Sequence, residues 1–487
     1  MSEGIGEVDG GTRGTGGTRN GEVSWWWRDL GHTASTPRRA PLPGDVDADV
    51  AIVGAGYTGL WAAYYLKRAQ PDLRVVVLEA EFAGFGASGR NGGWLTNSVT
   101  GGRERYVATH GRDAAVAQQR ALNETVDEVI RVAAAEGIDA DIVKGGELNV
   151  ARSASQAARL RSTALAEAAW PHTDTVEWDA AQTGERVRVA GAVAGLWHPH
   201  CARIHPAKLV RGLAEAVERL GVHIHEGTRV SEIRAGAAIT DHGTVRAAHV
   251  IRATEGFTAD LRGEHRTWLP MNSSLIVTEP LPAAAWDEIG WKHGDTLGDF
   301  AHVYMYAQRT ADDRIAFGGR GVPYRYGSRV DRDGRTQEAT ITGLTALLRS
   351  FFPVLAGPAA ASTGIAHAWS GVLGVPRDWA ATVGVNRASG GAAGSTYWAG
   401  GYVGTGVTAT NLAGRTLADL VLERDTERTR LPWVGHRARS WEPEPLRWLA
   451  VHGIYAAYRA ADRAESRPGA GTGTAWPARI ADVIAGR

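Results

Sequence analysis

Residues 53–59 read VGAGYTG and join an apolar strand, residues 49–53, to a helical pattern that continues LWAAYYLKRAQ. Gly54 allows the tight turn, Gly56 lets the backbone approach a pyrophosphate, and Gly59 lets the helix pack closely on the strand. The helix N-terminus offers free N–H groups and a positive dipole end to the phosphates. The predicted contacts of this dinucleotide-binding turn are Gly54, Gly56, Tyr57, Thr58 and Gly59.

A second apolar strand, residues 73–80 (LRVVVLEA), completes a β-α-β unit. Both of its faces are apolar, as in a buried parallel strand. Glu79 and Ala80 end this strand. An acid at this position can accept hydrogen bonds from the adenosine ribose hydroxyls and disfavours a 2′-phosphate. A lone G-x-G-x-x-G would also match any glycine-rich turn before a helix, but the two strands and the acid in register favour a dinucleotide site.

The next loop, GFGASGRNGG at residues 84–93, combines five glycines with an Arg-Asn pair. A dinucleotide that extends past its pyrophosphate needs such a loop, whereas a simple NAD-binding unit does not. Ser88 and Arg90 can bond phosphate oxygens, and Gly92 and Gly93 let the chain pass close to a flat ring. The alternative is a flexible linker, but linkers favour Ser and Gly without charge. The predicted contacts are Gly86, Ala87, Ser88, Arg90, Asn91, Gly92 and Gly93.

Composition excludes several classes of protein. The 487 residues are 44% hydrophobic and carry 53 basic and 53 acidic side chains, which indicates a globular protein with small-molecule partners and no nucleic acid. The single cysteine, Cys201, excludes an internal disulfide and favours a cytoplasmic location. No secretory signal pattern or 18-residue apolar run occurs, so stable membrane insertion is not expected. Composition leaves the oligomeric state open.

These motifs resemble the FAD-binding start of the glycine-oxidase and D-amino-acid-oxidase (DAO) superfamily, in particular the branch that contains γ-glutamylputrescine oxidoreductase. The resemblance runs from about Trp25 to Arg463 and implies FAD as a cofactor. Cys201 lies outside the positions associated with covalent attachment in some relatives, so noncovalent FAD is expected. Further blocks in the family's order are IHPAKLVRGLA (204–214), TRV (228–230), ATEGFT (253–258), FGGRG (317–321), AWSG (368–371) and GYVGTGV (401–407).

The resemblance also implies particular cofactor contacts. Val230 would touch the adenine side through its backbone, and Thr254 and Gly256 would line the pyrophosphate. Glu255 stands where the family usually has Asn. A helix that begins near Gly406 would point its dipole at the flavin carbonyl end, where negative charge collects on reduction. The implied contacts at the flavin end are Gly371, Gly401, Tyr402, Gly404, Gly406, Val407 and Thr408.

The elements predict an α/β fold (α+β overall), with a Rossmann-type FAD-binding domain and an interleaved antiparallel-sheet substrate domain. Residues 1–23 are expected to be a disordered tail, and the following Trp25, Trp26 and Trp27 to pack on the protein rather than on a lipid surface. The expected FAD-binding segments are 24–105, 200–268 and 365–425, and the substrate segments are 106–199 and 269–364. Residues 426–487 are expected to be an extension with an amphipathic helix that carries Leu446, Leu449, Ile454 and Ala457. This helix is expected to seal the body of the protein, and the alternative is a docking surface for a membrane or carrier.

Candidate catalytic residues lie in the expected substrate domain and beside the flavin. HVYMYAQR, residues 302–309, predicts a strand whose alternate residues lie on one side. That side faces either the substrate or, alternatively, solvent or a neighbouring strand. Arg320 could bind a carboxylate bidentately or form a structural ion pair. Trp369, like His367, precedes a glycine near the expected flavin edge. The candidates are His302, Tyr304, Tyr306, Arg320 and Trp369.

The predicted reaction is the one the resemblance implies: oxidation of a C–N bond in an amine or amino acid to an imine, with hydride transfer to flavin. Oxygen, a quinone or another carrier would reoxidise it. Alternatives are an NAD(P)H-dependent flavoprotein reductase or monooxygenase, and a non-catalytic flavin-binding protein. His198, His200 and His205 are close in sequence but lack a set of accompanying ligands, so no metal site is expected.

Overall fold

The computed structural model describes residues 18–485, apart from positions 34, 37, 331, 358–363, 388–393 and 468. The helices are α1 (Trp25–Asp29), α2 (Tyr57–Ala69), α3 (Arg103–His110), α4 (Arg112–Ala135), α5 (Ala154–Ala168), α6 (Ala180–Arg186), α7 (Pro206–Arg219), α8 (Ala283–Ile289), α9 (Glu338–Phe351), α10 (Gly406–Val421), α11 (Leu446–Glu465) and α12 (Trp476–Ala485). The strands are β1 (Arg19–Asn20), β2 (Val46–Val53), β3 (Val75–Leu78), β4 (Trp94–Thr96), β5 (Glu147–Ala151), β6 (Val176–Asp179), β7 (Ala194–His198), β8 (Cys201–Arg203), β9 (His223–His225), β10 (Val230–Arg234), β11 (Ala237–Thr240), β12 (Thr244–Arg252), β13 (Leu269–Thr278), β14 (Thr296–Asp299), β15 (Tyr306–Arg309), β16 (Ile315–Gly319), β17 (Ile365–Val375), β18 (Thr382–Asn386) and β19 (Ser395–Gly400).

An eight-stranded sheet carries the dinucleotide turn. Its parallel core runs β19-β12-β2-β3-β9, with β18 and the β10-β11 pair antiparallel at its margins. Val53 pairs with Leu78 on one side and with Arg252 on the other, so the carboxyl ends of three strands meet at one edge. Ligands of open α/β sheets bind at such an edge. The predicted Rossmann-type unit is confirmed.

A nine-stranded sheet, in the order β1-β17-β13-β16-β15-β14-β5-β7-β6, forms the second half of the molecule. It is antiparallel except for the β1-β17 and β14-β5 pairs. One cross-strand row reads Gly318, Tyr306, Gly298 and Asn149. Because Gly318 has no side chain, the Tyr306 ring lies over it, where a Cβ atom would be 2.2 Å from the ring. This sheet confirms the expected mixed fold.

Three expected boundaries need correction. Arg19 and Asn20 pair with β17, so the tail expected over residues 1–23 is ordered at its end, while residues 1–17 lie outside the described chain. β17, expected in the FAD-binding segment 365–425, pairs with β13 over its length and belongs to the nine-stranded sheet. In HVYMYAQR the strand begins only at Tyr306, because two carboxylates, from Asp299 and Asp462, bind the backbone N–H groups before it.

The C-terminal helix forms as predicted, but a different face is buried. Leu446 and Leu449 are 58% and 55% exposed, and Ile454 and Ala457 are half-buried. The buried side chains of α11 are Arg447, Val451, Tyr455, Tyr458, Ala461 and Glu465. Polar side chains of α11 are therefore part of its buried face, and a hydrophobic pattern in the sequence does not reveal them. Across the described residues, none of the helices combines the length and the apolar character that crossing a bilayer requires.

Candidate cofactor and substrate site

The glycine turn has the geometry that a bound diphosphate requires. Gly54 has a φ of +107°, and a Cβ there would lie 2.5 Å from the Ala253 carbonyl oxygen. A Cβ at Gly59 would lie 2.0 Å from the Gly54 carbonyl oxygen, so only glycine allows α2 to pack against β2. Gly56 caps α2 without a side chain. Gly56 therefore places no capping side chain of its own between the N-terminus of α2 and a ligand.

Glu79 lies at the end of β3 beside this turn. Its carboxylate accepts hydrogen bonds from Ala55 N at 2.9 Å and Glu81 N at 3.0 Å. Burial raises the pKa of Glu79 to about 7 even though these two N–H groups favour its charge. A buried acid that binds the turn and lines the pocket fits the ribose-binding position predicted for it.

A narrow pocket runs from Glu79 past the turn to the N-terminus of α10. Of the predicted cofactor contacts, it brings together Gly54, Gly56, Tyr57, Thr58, Glu79, Ala80, Gly86, Ala87, Ser88, Asn91, Val230, Thr254, Gly256, Tyr402, Gly404, Gly406 and Val407. Its cradle of glycine backbone and helix N-termini, with Glu79 beside the turn, matches a dinucleotide such as FAD. The residues present therefore fit the cofactor.

Sequence reasoning missed several residues of this pocket. Arg332 lines it with a half-exposed guanidinium that forms an ion pair with Asp260 at 2.5 Å and lies 5.7 Å from the Phe257 ring centre. Arg332 brings a positive charge to an anion-binding pocket. No local pattern marks it, because it belongs to a loop of the expected substrate segment. Leu373 on β17 also lines the pocket, but it lies outside the sequence blocks on which the predicted contacts were based.

Arg90 contacts backbone carbonyls in the structure, and its predicted bond to phosphate stays a prediction. Its guanidinium is buried and donates to the carbonyl oxygens of Phe85 at 2.7 Å and Arg332 at 2.7 Å. It also lies 4.4 Å from the Phe85 ring centre. The charged group is thus hydrogen-bonded by backbone carbonyls, and Arg90 holds the 84–93 loop in its shape. Ser88 does lie in the pocket, where its hydroxyl accepts from Tyr57 N at 2.8 Å.

Gly92 and Gly93 allow a close approach, but to the nine-stranded sheet. A Cβ at Gly92 would lie 2.6 Å from the Tyr306 ring, and one at Gly93 would lie 1.8 Å from Gln308 Nε2. Gln308 in turn donates to the Gly92 carbonyl oxygen at 2.8 Å. The loop therefore joins the two sheets. The predicted contact of these glycines with a flat cofactor ring stays a prediction.

The tryptophan-rich α1 packs on the protein, as predicted, and it contacts this loop. Trp25, Trp26 and Trp27 are 5%, 1% and 5% exposed. Ser24 Oγ donates to the Gly89 carbonyl oxygen at 2.7 Å and Trp26 Nε1 to that of Asn91 at 2.9 Å. A Cβ at Gly89 would lie 2.1 Å from Trp27 Nε1, so only glycine at this position leaves room for the Trp27 ring. The loop carbonyls are thus bound on the side away from the pocket.

We expect Trp27→Ala to weaken FAD binding by about tenfold, because the loop must then be ordered by the cofactor itself. Titration of the FAD-free variant, followed by quenching of flavin fluorescence, measures the change. Trp476→Ala is the matched control, since Trp476 is 71% exposed. Equal FAD affinity for the wild type and Trp27→Ala would show that α1 does not support the loop.

Glu255 replaces the family's usual Asn at a buried bend with a φ of +41°. Its carboxylate accepts from Gly401 N at 2.8 Å, Gly374 N at 3.2 Å and Tyr402 N at 3.3 Å. It lines the pocket and holds the 401–404 turn against β17. Burial raises the pKa of Glu255 to about 7, against the effect of these N–H groups.

This raised pKa predicts a pH-dependent effect of Glu255→Gln. The folded chain holds the Glu255 proton up to about pH 7, whereas the unfolded chain releases it near pH 4.5. The stability that this proton contributes is fully present below the pKa of the unfolded chain. It is lost as the pH rises through the pKa of the folded chain. In urea titrations of the FAD-free protein, the stability of the wild type relative to Glu255→Gln should fall by about 2 kcal/mol between about pH 5 and about pH 8. Exposed Glu338→Gln is the control, and a constant difference would contradict the prediction.

A second cavity, with a volume of about 820 Å³, lies between the 84–97 segment and the nine-stranded sheet. We call it the substrate cavity. It shares an inner wall with the cofactor pocket, formed by Ala87, Asn91, Leu373, Gly404 and Val407. A cofactor that fills the narrow pocket would therefore present one end to this cavity.

Four of the five candidate catalytic residues line the substrate cavity: His302, Tyr304, Tyr306 and Arg320. The Tyr306 hydroxyl lies 2.8 Å from Ser273 Oγ, and burial raises the pKa of Tyr306 to about 12, so its phenol stays neutral near pH 7. Tyr304 is 44% exposed and marks the cavity mouth. The four candidate side chains line the same cavity although only Tyr306 lies on a strand.

Arg320 follows directly on β16. Its guanidinium lies close to the Tyr304 hydroxyl, and its Nη1 is buried without a hydrogen-bond partner. Within the described ranges no acid forms a salt bridge with it, so the alternative of a structural ion pair is not supported. A half-buried guanidinium that lines a cavity with one buried nitrogen free of partners is suited to bind an anion.

Trp369 is not in the substrate cavity. It is fully buried on β17, where its Nε1 donates to the Arg90 carbonyl oxygen at 2.8 Å, so it supports the loop. Other predicted cofactor contacts also lie outside the narrow pocket. Gly371 and Gly92 line the substrate cavity, while Gly59, Gly93, Gly401 and Thr408 line neither space.

The remaining candidates have structural partners. Each of the three histidines lies beside a different acid: His198 with Glu147, His200 with Asp174 and His205 with Asp29. Cys201 is buried and free. Burial raises the pKa of its thiol well above the usual range, so it is a poor nucleophile.

Comparison with known proteins agrees with this geometry. The family model "FAD dependent oxidoreductase" (DAO) matches residues 49–420. The chain is 30% identical to gamma-glutamylputrescine oxidoreductase of Escherichia coli (strain K12), over 82% of this chain and 89% of that protein. It is 29% identical to "Probable oxidoreductase OrdL" of Rhizobium meliloti (strain 1021), over 79% of this chain and 86% of that protein. Glycine oxidase from Geobacillus kaustophilus has a similar fold, with a TM-score of 0.66 and 19% identity, over 81% of this chain and 100% of that chain. Since the match covers the glycine turn, Glu79 and the N-terminus of α10, the chain belongs to the DAO family of FAD-dependent oxidoreductases.

Proposed function

We propose that this enzyme oxidises the C–N bond of an amine that also carries a carboxylate, giving an imine. The observation that carries the proposal is the unpaired, buried Nη1 of Arg320 in a cavity that shares a wall with the FAD pocket. Bound FAD would accept two electrons as hydride and pass them to oxygen or another acceptor. Free Cys201 favours a cytoplasmic location.

The residues of the cavity position the substrate. Arg320 binds the carboxylate through two N–H groups and so fixes the orientation of the amine-bearing carbon. Leu275 and Leu373 make the cavity apolar near the shared wall. Apolar surroundings lower the pKa of an amine and favour the neutral form, whose lone pair assists hydride departure. Tyr306 supplies a neutral phenol between these two regions.

The size of the cavity favours an elongated substrate. About 820 Å³ is far more than a small amino acid fills. Arg320 follows β16 and Glu147 lies on β5, three strand positions away, which is about 14 Å. Burial opposes the charge of Glu147, but its bonds to His198, Asn149 and Thr96 hold its pKa below the usual value. The Glu147 carboxylate is therefore ionised and can accept from an ammonium or another hydrogen-bond donor. The relative from E. coli is named for gamma-glutamylputrescine, a long amine.

Anaerobic mixing of the purified holoenzyme with a panel of amines tests this proposal. The panel contains short amino acids, long amines that carry a carboxylate at the end remote from the oxidised nitrogen, and matched long amines without a carboxylate. Loss of visible flavin absorbance should be fastest with the long amine carboxylates. Failure of every member of the panel to reduce the flavin would contradict the proposal.

A further inference from the structure

The C-terminal helices α11 and α12, which we call the C-terminal pair, lie beyond residue 420, where the family match ends. Two of their side chains, Tyr458 and Asp482, nevertheless line the substrate cavity. We propose that the C-terminal pair is one wall of the substrate-binding site and holds the 301–305 loop in place, so that it determines which amines bind. The role of the cavity rests on the proposed function.

The first contact is between α11 and the backbone of the loop. One oxygen of Asp462 accepts from His302 N at 2.8 Å and the other from Val303 N at 3.0 Å. On the opposite side, Asp299 accepts from Met305 N at 3.1 Å. Loop N–H groups need partners when they are shielded from water. Asp462 therefore determines the path of the loop that presents Tyr304 to the cavity.

The second contact fixes the side chain of His302. Its ring stacks on Tyr458 with centres 5.5 Å apart and an interplanar angle of 5°. His302 Nε2 lies 3.0 Å from Glu465 Oε1, and the other oxygen of Glu465 accepts from Arg159 Nη1 at 2.6 Å. Tyr458 donates to Asp482 Oδ1 at 2.8 Å, which ties α12 to the same wall.

The third contact reaches the segment that follows Arg320. Arg459 donates from Nη2 to the Gly321 carbonyl oxygen at 2.8 Å, and His452 Nε2 lies 2.9 Å from the Tyr324 carbonyl oxygen. α11 thus contacts the chain on both sides of the pair that Tyr304 forms with Arg320. A shift of α11 would displace the carboxylate-binding group and the cavity mouth together.

Hydrogen–deuterium exchange of the FAD-loaded, full-length enzyme tests the positioning role without any substrate. In Asp462→Ala, exchange of amides 301–305 should increase by about tenfold or more, while peptides covering residues 54–59 should be unchanged. Leu449→Ala is the matched control, since this side chain is 55% exposed on the same helix. Asp462→Asn keeps one acceptor oxygen and should give a smaller increase. If Asp462→Ala fails to fold, Asp462→Asn decides the question.

Kinetics separate a substrate wall from a merely structural support. With the amine that reduces the wild-type flavin best, Asp462→Asn should raise KM by about tenfold and change the limiting rate of flavin reduction by less than about threefold. Exchange of amides 301–305 that stays at the wild-type rate in both Asp462 variants overturns the proposal, as does a fall in kcat at constant KM. Because the exchange measurement needs no substrate, failure of the whole amine panel would overturn only the proposed function.

Discussion

Arg320→Ala is expected to lower kcat/KM for an amine carboxylate by about 100-fold, because removing one partner of a buried charge pair costs about 3 kcal/mol. The matched amine without a carboxylate should lose less than about threefold, since it never formed the pair. The flavin spectrum and FAD content should be unchanged, because Arg320 lines the substrate cavity and not the cofactor pocket. Steady-state rates with both amines measure the difference.

Arg161→Ala is the control for that experiment, because Arg161 is an exposed arginine on α5. Equal losses for the two amines would mean that Arg320 supports the structure and does not bind a carboxylate. Unchanged rates for both would place the substrate elsewhere in the cavity.

Gly59→Ala is expected to abolish FAD binding at ordinary concentrations. The added Cβ would lie 2.0 Å from the Gly54 carbonyl oxygen and 3.1 Å from Ile52, so α2 must move away from β2. That movement displaces the turn that faces the diphosphate. We expect the affinity for FAD to fall by at least about 100-fold, roughly 3 kcal/mol. Titration of the FAD-free protein with FAD, followed by fluorescence, measures the loss.

The control for Gly59→Ala is another glycine within a helix. A Cβ at Gly343 on α9 would meet no atom within 4 Å, so Gly343→Ala should bind FAD as the wild type does. Far-ultraviolet circular dichroism confirms that both variants fold. A yellow Gly59→Ala protein with normal FAD affinity would contradict the role assigned to the turn.

The parts of the site that could be predicted from sequence are those with a local cause. Glycine spacing, a preceding strand and a following helix are all contained in residues 49–80, so the strand-turn-helix unit and the position of Glu79 after β3 could be predicted, while their contacts with FAD stay predictions. The N-terminus of α10 was also found from its own glycines. Each of these features depends on the backbone shape of a short stretch of sequence.

Arg90 shows why other residues could not be predicted. Its partners are carbonyl oxygens of Phe85 and Arg332, and the second is remote in sequence. A local pattern reveals an arginine in a glycine-rich loop but not the direction of its side chain. The same limit applies to Trp369, whose strand pairs with β13 across a hundred residues and turns the indole toward the loop.

The 302–309 segment combines both situations. Its alternating pattern predicts a strand, but Asp462 and Asp299 bind the N–H groups of residues 302, 303 and 305 and hold that part as a loop. Because Asp462 lies on a distant helix, the sequence of the segment contains no sign of this. His302, Tyr304 and Tyr306 still line one cavity, because the loop and not a strand presents the first two of them.

Electrons are expected to enter FAD from an amine bound in the cavity that contains Arg320. The most direct test mixes the wild-type holoenzyme without oxygen, in parallel, with a long amine carboxylate and with NADH or NADPH. We predict that the amine removes the visible flavin absorbance in a single turnover and that the nicotinamides leave it unchanged over the same time. Rapid bleaching by a nicotinamide, with no response to amines, would contradict the account.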